Sequence, residues 1–223
     1  MFEYQRINGF TILSNEIDHL LKHIIDCPIE EQQWQRGMVP QMMEAHLLNA
    51  DKRIAVDVGA SYGWVTIPLS TYYDQVHSFE ILPQVREALI LNTEDKLNIF
   101  IHPYGIGDVD TSVDVNIPEP YTTGGASVVA QVGQYPIKPL DSFPFEIIDL
   151  LKIDVEGYEY NVLRGAEQTL LRCKPFIVME MFTTRSKAHL DNRMKCLGFL
   201  KSLGYSVVDV RSDDWYLIHD KCL

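Results

Sequence analysis

The sequence predicts an α/β layered domain on a mostly parallel sheet that closes with an antiparallel hairpin, and three observations predict it. From residue 54 onward, short apolar runs alternate with helical patterns, the signature of βαβ units. The first run, Ile54-Ala55-Val56-Asp57-Val58, is almost wholly apolar and leads into Gly59-Ala60-Ser61-Tyr62-Gly63, as a buried parallel strand does before a tight turn into a helix. The last two runs, Tyr205 to Val210 and Trp215 to His219, are joined only by Arg211 to Asp214, too short for a helical crossover, so they must pair antiparallel.

The elements follow in order along the chain. Residues 16 to 26 set Ile17, Leu20, Leu21, Ile24 and Ile25 at helical spacing, with Ser14 or Asn15 as a cap and Pro28 beyond the end. A second helix is expected over about 38 to 49, through Met42, Met43, Ala45, His46, Leu47 and Leu48. Residues 1 to 50 therefore read as an N-terminal helical extension and 51 to 223 as the α/β domain. Trp34 and the two methionines could line a pocket, although such a stripe more often serves as core. Strands are expected at 54–58, 75–80, 97–104, 147–153 and 175–181, and helices near 63–72, 83–92 and 159–171. A last helix near 187–203 carries Leu190, Met194, Leu197, Leu200 and Leu203 and stops at Gly204. The segment from Asp108 to Pro144 is rich in Gly, Pro and Thr and is expected as a long functional loop near the ligand edge, or as a small edge hairpin built from Thr111 to Ile117.

Composition narrows the partners. The 223 residues are 46% hydrophobic, enough for a full core, and 19 basic against 31 acidic residues give a net charge of −12. With no Lys/Arg cluster, a nucleic-acid backbone is not the expected partner. No apolar run is long enough to span a bilayer, and the start Met1-Phe2-Glu3-Tyr4-Gln5-Arg6 lacks the pattern of a signal peptide, so a cytoplasmic location is expected. The cysteines Cys27, Cys173, Cys196 and Cys222 are scattered without a Cys-x-x-Cys pair and are expected as free thiols.

In open α/β sheets ligands bind beyond the carboxyl ends of the strands, so the residues there carry the chemistry. After Asp57 the spacing is Gly-x-x-x-Gly, not the Gly-x-Gly-x-x-Gly of pyrophosphate-binding folds. A nucleoside ligand without bridging phosphates fits better, and S-adenosyl-L-methionine (SAM) leads. Glu80, at the end of the second strand, can accept both hydroxyl hydrogens of a ribose. Asp57 would hold the turn and orient the aminoacyl portion, and Asp108, following Gly107, could accept from the adenine amino group or simply close a turn. In Leu151-Lys152-Ile153-Asp154-Val155-Glu156-Gly157-Tyr158-Glu159, an apolar strand delivers Asp154 to its end and Gly157 turns the chain; Glu159 favours the start of a helix. Glu180 approaches the same edge from the next strand. A cluster of Asp154, Glu156 and Glu180 suits a cationic methyl donor, and one member can be raised in pKa enough to act as a base. His102 sits inside an apolar strand and reads as a core or edge residue. A divalent metal could be held by Asp154 and a neighbour, although no His-rich ligand set calls for one.

These segments resemble the FkbM family of SAM-dependent methyltransferases over about residues 50 to 220. The carriers are Val56 to Gly63, Phe79-Glu80, Gly107-Asp108, Gly124-Gly125-Ala126-Ser127, Pro139-Leu140-Asp141-Ser142-Phe143, Leu151 to Glu159, Gly165-Ala166 and Pro175 to Glu180. The Lys-Ile-Asp-Val-Glu-Gly segment is the specific one. The resemblance implies a Rossmann-like, seven-stranded class I methyltransferase sheet and O-methylation of a sugar or small-metabolite hydroxyl. By this resemblance Asp57, Gly59, Gly63 and Glu80 would contact SAM and the first fifty residues would shape a small-molecule or glycan acceptor site. With the strand-end reading, the donor-binding set is Asp57, Gly59, Ala60, Ser61, Gly63, Glu80, Ile81, Gly107 and Asp108, and Asp154, Glu156 or Glu180 deprotonates or orients the acceptor. Two positions depart from the family pattern: Ser61 stands where Asn is commoner, and Ile81-Leu82-Pro83 replaces a proline directly after the strand acid. A non-catalytic SAM-binding or interaction module is the alternative, against which Asp154, Glu156 and Glu180 speak. A nicotinamide-dependent oxidoreductase is disfavoured by the glycine spacing and the terminal hairpin.

Overall fold

Runs such as Ile54–Val58 and Leu150–Ile153 become interior strands because they are apolar but for Asp57 and Lys152, and nearly every residue in them is buried. The computed structural model describes residues 3–7, 10–14, 51–118, 123–182 and 186–222. The helices expected over 16–26 and 38–49, with Trp34, Met42 and Met43, lie outside the described residues. Within them the chain forms β1 (Tyr4–Ile7), β2 (Phe10–Leu13), β3 (Ile54–Val58), α1 (Thr66–Leu69), β4 (Gln75–Phe79), α2 (Pro83–Asn92), β5 (Ile99–His102), β6 (Gly105–Ile106), β7 (Thr111–Asn116) and β8 (Ser127–Lys138). It continues through β9 (Leu150–Ile153), α3 (Glu159–Arg164), α4 (Glu167–Cys173), β10 (Phe176–Glu180), α5 (Lys187–Ser202), β11 (Tyr205–Arg211) and β12 (Asp214–His219).

Seven strands form one sheet in the order β11-β12-β10-β9-β3-β4-β5. β10, β9, β3, β4 and β5 pair in parallel, while β12 runs antiparallel between β10 and β11. This is the Rossmann-like arrangement with a terminal hairpin. The chain steps from β3 outward to β5 and then returns to β9 on the other side, so the topological switch lies between β3 and β9, where such sheets bind ligands. Among the described residues no helix is long and apolar enough to cross a membrane, and Cys173, Cys196 and Cys222 are free.

Two expectations change and one is resolved. The helix expected over 159–171 is two helices, broken at Gly165 and Ala166, where the backbone runs so close to the Gly107 carbonyl that only glycine fits at 165. Asp141 takes part in restarting the chain: its carboxylate accepts from the backbone N–H groups of Gln168 and Thr169 at 3.0 and 2.8 Å, in the first turn of α4. The segment after Asp108 carries the edge hairpin expected from Thr111 to Ile117: β7 and β8 pair antiparallel and join β6 in a three-stranded sheet. Finally, β1 and β2 make a hairpin in a region read as helical only, although Asn8-Gly9 between the two runs is a hairpin turn signal in the sequence. Phe10, Ile12 and Leu13 of this hairpin bury against Tyr62, Leu82, Val85 and Ala88, and Asn92 closes its edge by accepting from Thr11 N at 2.6 Å and donating to Thr11 O at 3.0 Å.

Beside the site, β4 and β5 carry an aromatic face in which His77 Nδ1 and His102 Nε2 lie 3.0 Å apart and stack among Phe79, Phe100, Phe143 and Phe145. Burial and the neighbouring His102 pull the His77 pKa down to about 4, and burial lowers that of His102. Both folded values lie below the unfolded value, so the stability this face contributes is fully present above about pH 6.5 and is lost as pH falls toward the folded values. His77 is partly solvated, which limits the loss to about 1–2 kcal/mol. Urea unfolding midpoints should fall between pH 7 and pH 5, and His77→Phe should flatten that slope; an unchanged slope would show that other groups carry it.

Candidate active site

The first glycine turn begins where β3 ends. Gly59 (φ +82°), Ser61 (φ +49°) and Gly63 (φ +97°) all take left-handed backbone conformations. A side chain on Gly59 would overlap the backbone Asp154 carbonyl, so close packing just beyond β9 requires that glycine, while Gly63 is required by its φ, its nearest neighbour being the end of the flexible Leu89 side chain at 2.9 Å. Ser61 holds this conformation without being glycine; asparagine tolerates it better, which gives a physical reason for asparagine being commoner there. The N–H groups of Gly59 and Ala60 both donate to Phe79 O at 3.1 Å, tying the turn to β4.

Glu80 lies just beyond β4 and is 6% exposed. Its Oε2 accepts from Ser61 N at 2.9 Å and its Oε1 from Leu82 N at 2.8 Å, while Arg86 donates to its main-chain carbonyl at 3.0 Å. A carboxylate has about four acceptor positions. Two are used here, leaving a fixed oxygen pair able to accept two ribose hydroxyls. Ile81 follows, half-buried against the β1–β2 hairpin cluster.

Asp57 is completely buried, with Oδ2 accepting from Thr66 Oγ1 at 2.6 Å. Its Oδ1 has no hydrogen-bond partner but lies 3.5 Å from Lys152 Nζ on β9. Burial raises the Asp57 pKa, with Lys152 opposing. Asp57 thus belongs to the floor of the site. Sequence reasoning missed Lys152 as a functional residue, and the signal was a cation in an otherwise apolar strand; it is 4% exposed, 3.2 Å from Asp154 Oδ2 and 3.3 Å from Gly59 O. Burial alone would lower the Lys152 pKa, yet the flanking Asp154 and Asp57 outweigh it and the net shift is upward.

Across the switch point, Asp154, Glu156 and Glu180 converge: one carboxylate oxygen from each lies within 4.8 Å of the others, a spacing a divalent cation could bridge. Glu156 is placed by a left-handed φ of +52° ahead of Gly157. Burial first, then Asp154 and Glu156, raise the Glu180 pKa far above the usual carboxylate range. Asp214, a residue sequence reasoning left in a turn, pairs in register with Glu180 and has its pKa raised to about 6 by burial and Asp154. Glu159 is structural, accepting from Gly157 N at 2.9 Å and from Asn192 Nδ2. At the rim, Ser186 Oγ holds His189 Nδ1 at 2.7 Å, and the ring stands over Gly157. Gly107 packs under Tyr158, and Asp108 is exposed and accepts from Asn161 Nδ2 at 3.2 Å.

A model of the FkbM methyltransferase domain matches residues 57–207, more than half of the chain. The chain belongs to the FkbM methyltransferase family. Three solved structures share the fold of this FkbM domain. They are an FkbM methyltransferase from Methylobacillus flagellatus (17% identity, TM-score 0.53, covering 76% of this chain and 44% of that one); the magnesium protoporphyrin IX methyltransferase of Synechocystis with bound SAM (11%, 0.53, 92% and 86%); and precorrin 8w decarboxylase of Methanobacterium thermoautotrophicum (15%, 0.51, 96% and 97%). At these identities the likeness shows the fold alone. The chain spans less than half the length of the Methylobacillus protein. No curated protein matches it. SAM is the cofactor of the family, and the residues of this FkbM domain fit it: Glu80 offers the oxygen pair for a ribose, and the carboxylates around the switch point suit a sulfonium.

Proposed function

We propose that this FkbM domain transfers a methyl group from SAM to a hydroxyl oxygen of a sugar or small metabolite. The observation that carries the proposal is the convergence of Asp154, Glu156 and Glu180 one strand away from the turn that follows Asp57. In this reading Glu80 accepts the ribose hydroxyls, and the turn Gly59, Ala60, Ser61 and Gly63 with Ile81, Gly107 and Asp108 surrounds the rest of the donor. SAM brings a methyl group already activated by its sulfonium charge. The chain's own work is then alignment, which contributes on the order of 7 kcal/mol, and removal of the hydroxyl proton. Asp154, Glu156 and Glu180 face that task. Burial first, and then its anionic neighbours Asp154 and Glu156, raise the Glu180 pKa, so its carboxylate once deprotonated is a stronger base than a free one. The net charge of −12 favours a neutral or cationic acceptor over a nucleic acid.

The test is methyl transfer from radiolabelled SAM to a panel of sugars, hydroxylated metabolites and amines. A labelled, base-stable ether on a hydroxyl compound is expected, with Glu180→Gln lowering kcat by about 10²- to 10⁴-fold. Label on nitrogen or carbon would overturn the oxygen specificity. Donor binding with no transfer to any member would favour the non-catalytic module.

A further inference from the structure

Lys152 places a cation inside Leu150–Ile153, a strand whose every residue is buried. Removing an ammonium from water costs several kcal/mol, and an apolar side chain of similar volume commonly serves a fold as well or better. Its partners therefore say what it is for. They come from two strand ends: Asp57 Oδ1 at 3.5 Å and Gly59 O at 3.3 Å at the end of β3, and Asp154 Oδ2 at 3.2 Å beyond its own strand. The Glu80 carboxylate, one strand further on, is fixed instead by Ser61 N and Leu82 N. Lys152 thus contacts one end of the cradle and not the other, and the two ends meet only in the backbone of the Gly59–Ser61 turn.

We infer that Lys152 is a positioning residue that fixes the Gly59 carbonyl, in the turn that holds the aminoacyl end of the donor, relative to the Asp154 carboxylate of the catalytic set, while Glu80 holds the ribose without contact to Lys152. This rests on the donor-binding reading given under Proposed function. Without the ammonium, the Asp57 and Asp154 carboxylates lose the cation between them and the Gly59 carbonyl loses the Lys152 donor, so the β3 turn and the end of β9 no longer share this anchor.

The test compares two ligands by calorimetric titration. S-adenosylhomocysteine carries the aminoacyl chain; 5′-methylthioadenosine has the same adenosine and lacks it. Wild-type protein should bind S-adenosylhomocysteine more tightly. Lys152→Met should weaken S-adenosylhomocysteine about 30- to 100-fold while changing methylthioadenosine less than about 3-fold. Lys152→Gln, which keeps a donor toward Gly59 O and is the easier variant to fold, should show a smaller selective loss. A merely structural lysine would weaken both ligands by the same factor in either variant, and that result overturns the inference while leaving the donor reading intact. Wild-type protein that binds neither ligand overturns the donor reading, and this inference with it.

Discussion

Gly59→Ala abolishes measurable binding of S-adenosylhomocysteine and costs the fold about 3–5 kcal/mol. Two effects add. The φ of +82° is strained for any L side chain, at about 1–3 kcal/mol. The new methyl group also overlaps the Asp154 carbonyl, which is backbone and held by Asp154 N donating to Val58 O at 3.0 Å. Neither side can yield without separating β3 from β9, and that separation moves Asp57, Lys152 and Asp154 together. Against a total stability of about 5–15 kcal/mol, the variant should fold marginally and bind nothing. Gly198 supplies the control. It lies in helix α5 with nothing within 4 Å of the place an added methyl group would occupy, so Gly198→Ala should be neutral or stabilise by about 1 kcal/mol. Chemical denaturation of both variants, with calorimetry of the folded fractions, checks the contrast.

Glu80→Ala is the second large effect and acts by a different route. Its carboxylate holds the Ser61 and Leu82 N–H groups as well as the proposed ribose hydroxyls. Truncation leaves Leu82 N buried without its acceptor, at about 1–3 kcal/mol, and lets the Ser61 turn relax. The fold survives, because β4 itself remains paired on both sides. Affinity for S-adenosylhomocysteine should fall at least about 100-fold, equivalent to roughly 2.7 kcal/mol of lost hydrogen bonding. Circular dichroism of the variant should remain native. An unfolded variant would mean that the carboxylate serves the turn more than the ligand.

The strand framework was legible because apolar runs bounded by turn residues leave few choices: β3, β4, β9 and β10 lie within a few residues of where the pattern places them, and helix α2 spans the expected 83–92. The terminal hairpin followed from the length of its connection alone. What the pattern could not show is pairing across long separations. The insertion of β12 between β10 and β11 is one such case, as is the approach of Gly107 to Gly165 where one expected helix breaks in two. At the site, the carboxylates at strand ends could be read from position, and Asp154, Glu156 and Glu180 do come together. Lys152 and Asp214 escaped because their importance is a matter of register: Lys152 stands opposite Asp57 on β3, and Asp214 opposite Glu180 on β10. Glycine spacing gave the turn, but the space beside Gly59 is taken by the Asp154 backbone and Gly63 holds a φ of +97°, so packing and backbone conformation explain those two residues before any ligand does.

The central claim is that the switch-point cradle holds SAM by its ribose at Glu80. Isothermal titration of the wild-type chain with S-adenosylhomocysteine, beside Glu80→Ala, tests it most directly. One site per chain with a near-micromolar Kd, lost in the folded variant, is the predicted result. No binding to the wild type, or equal binding to both proteins, would contradict it.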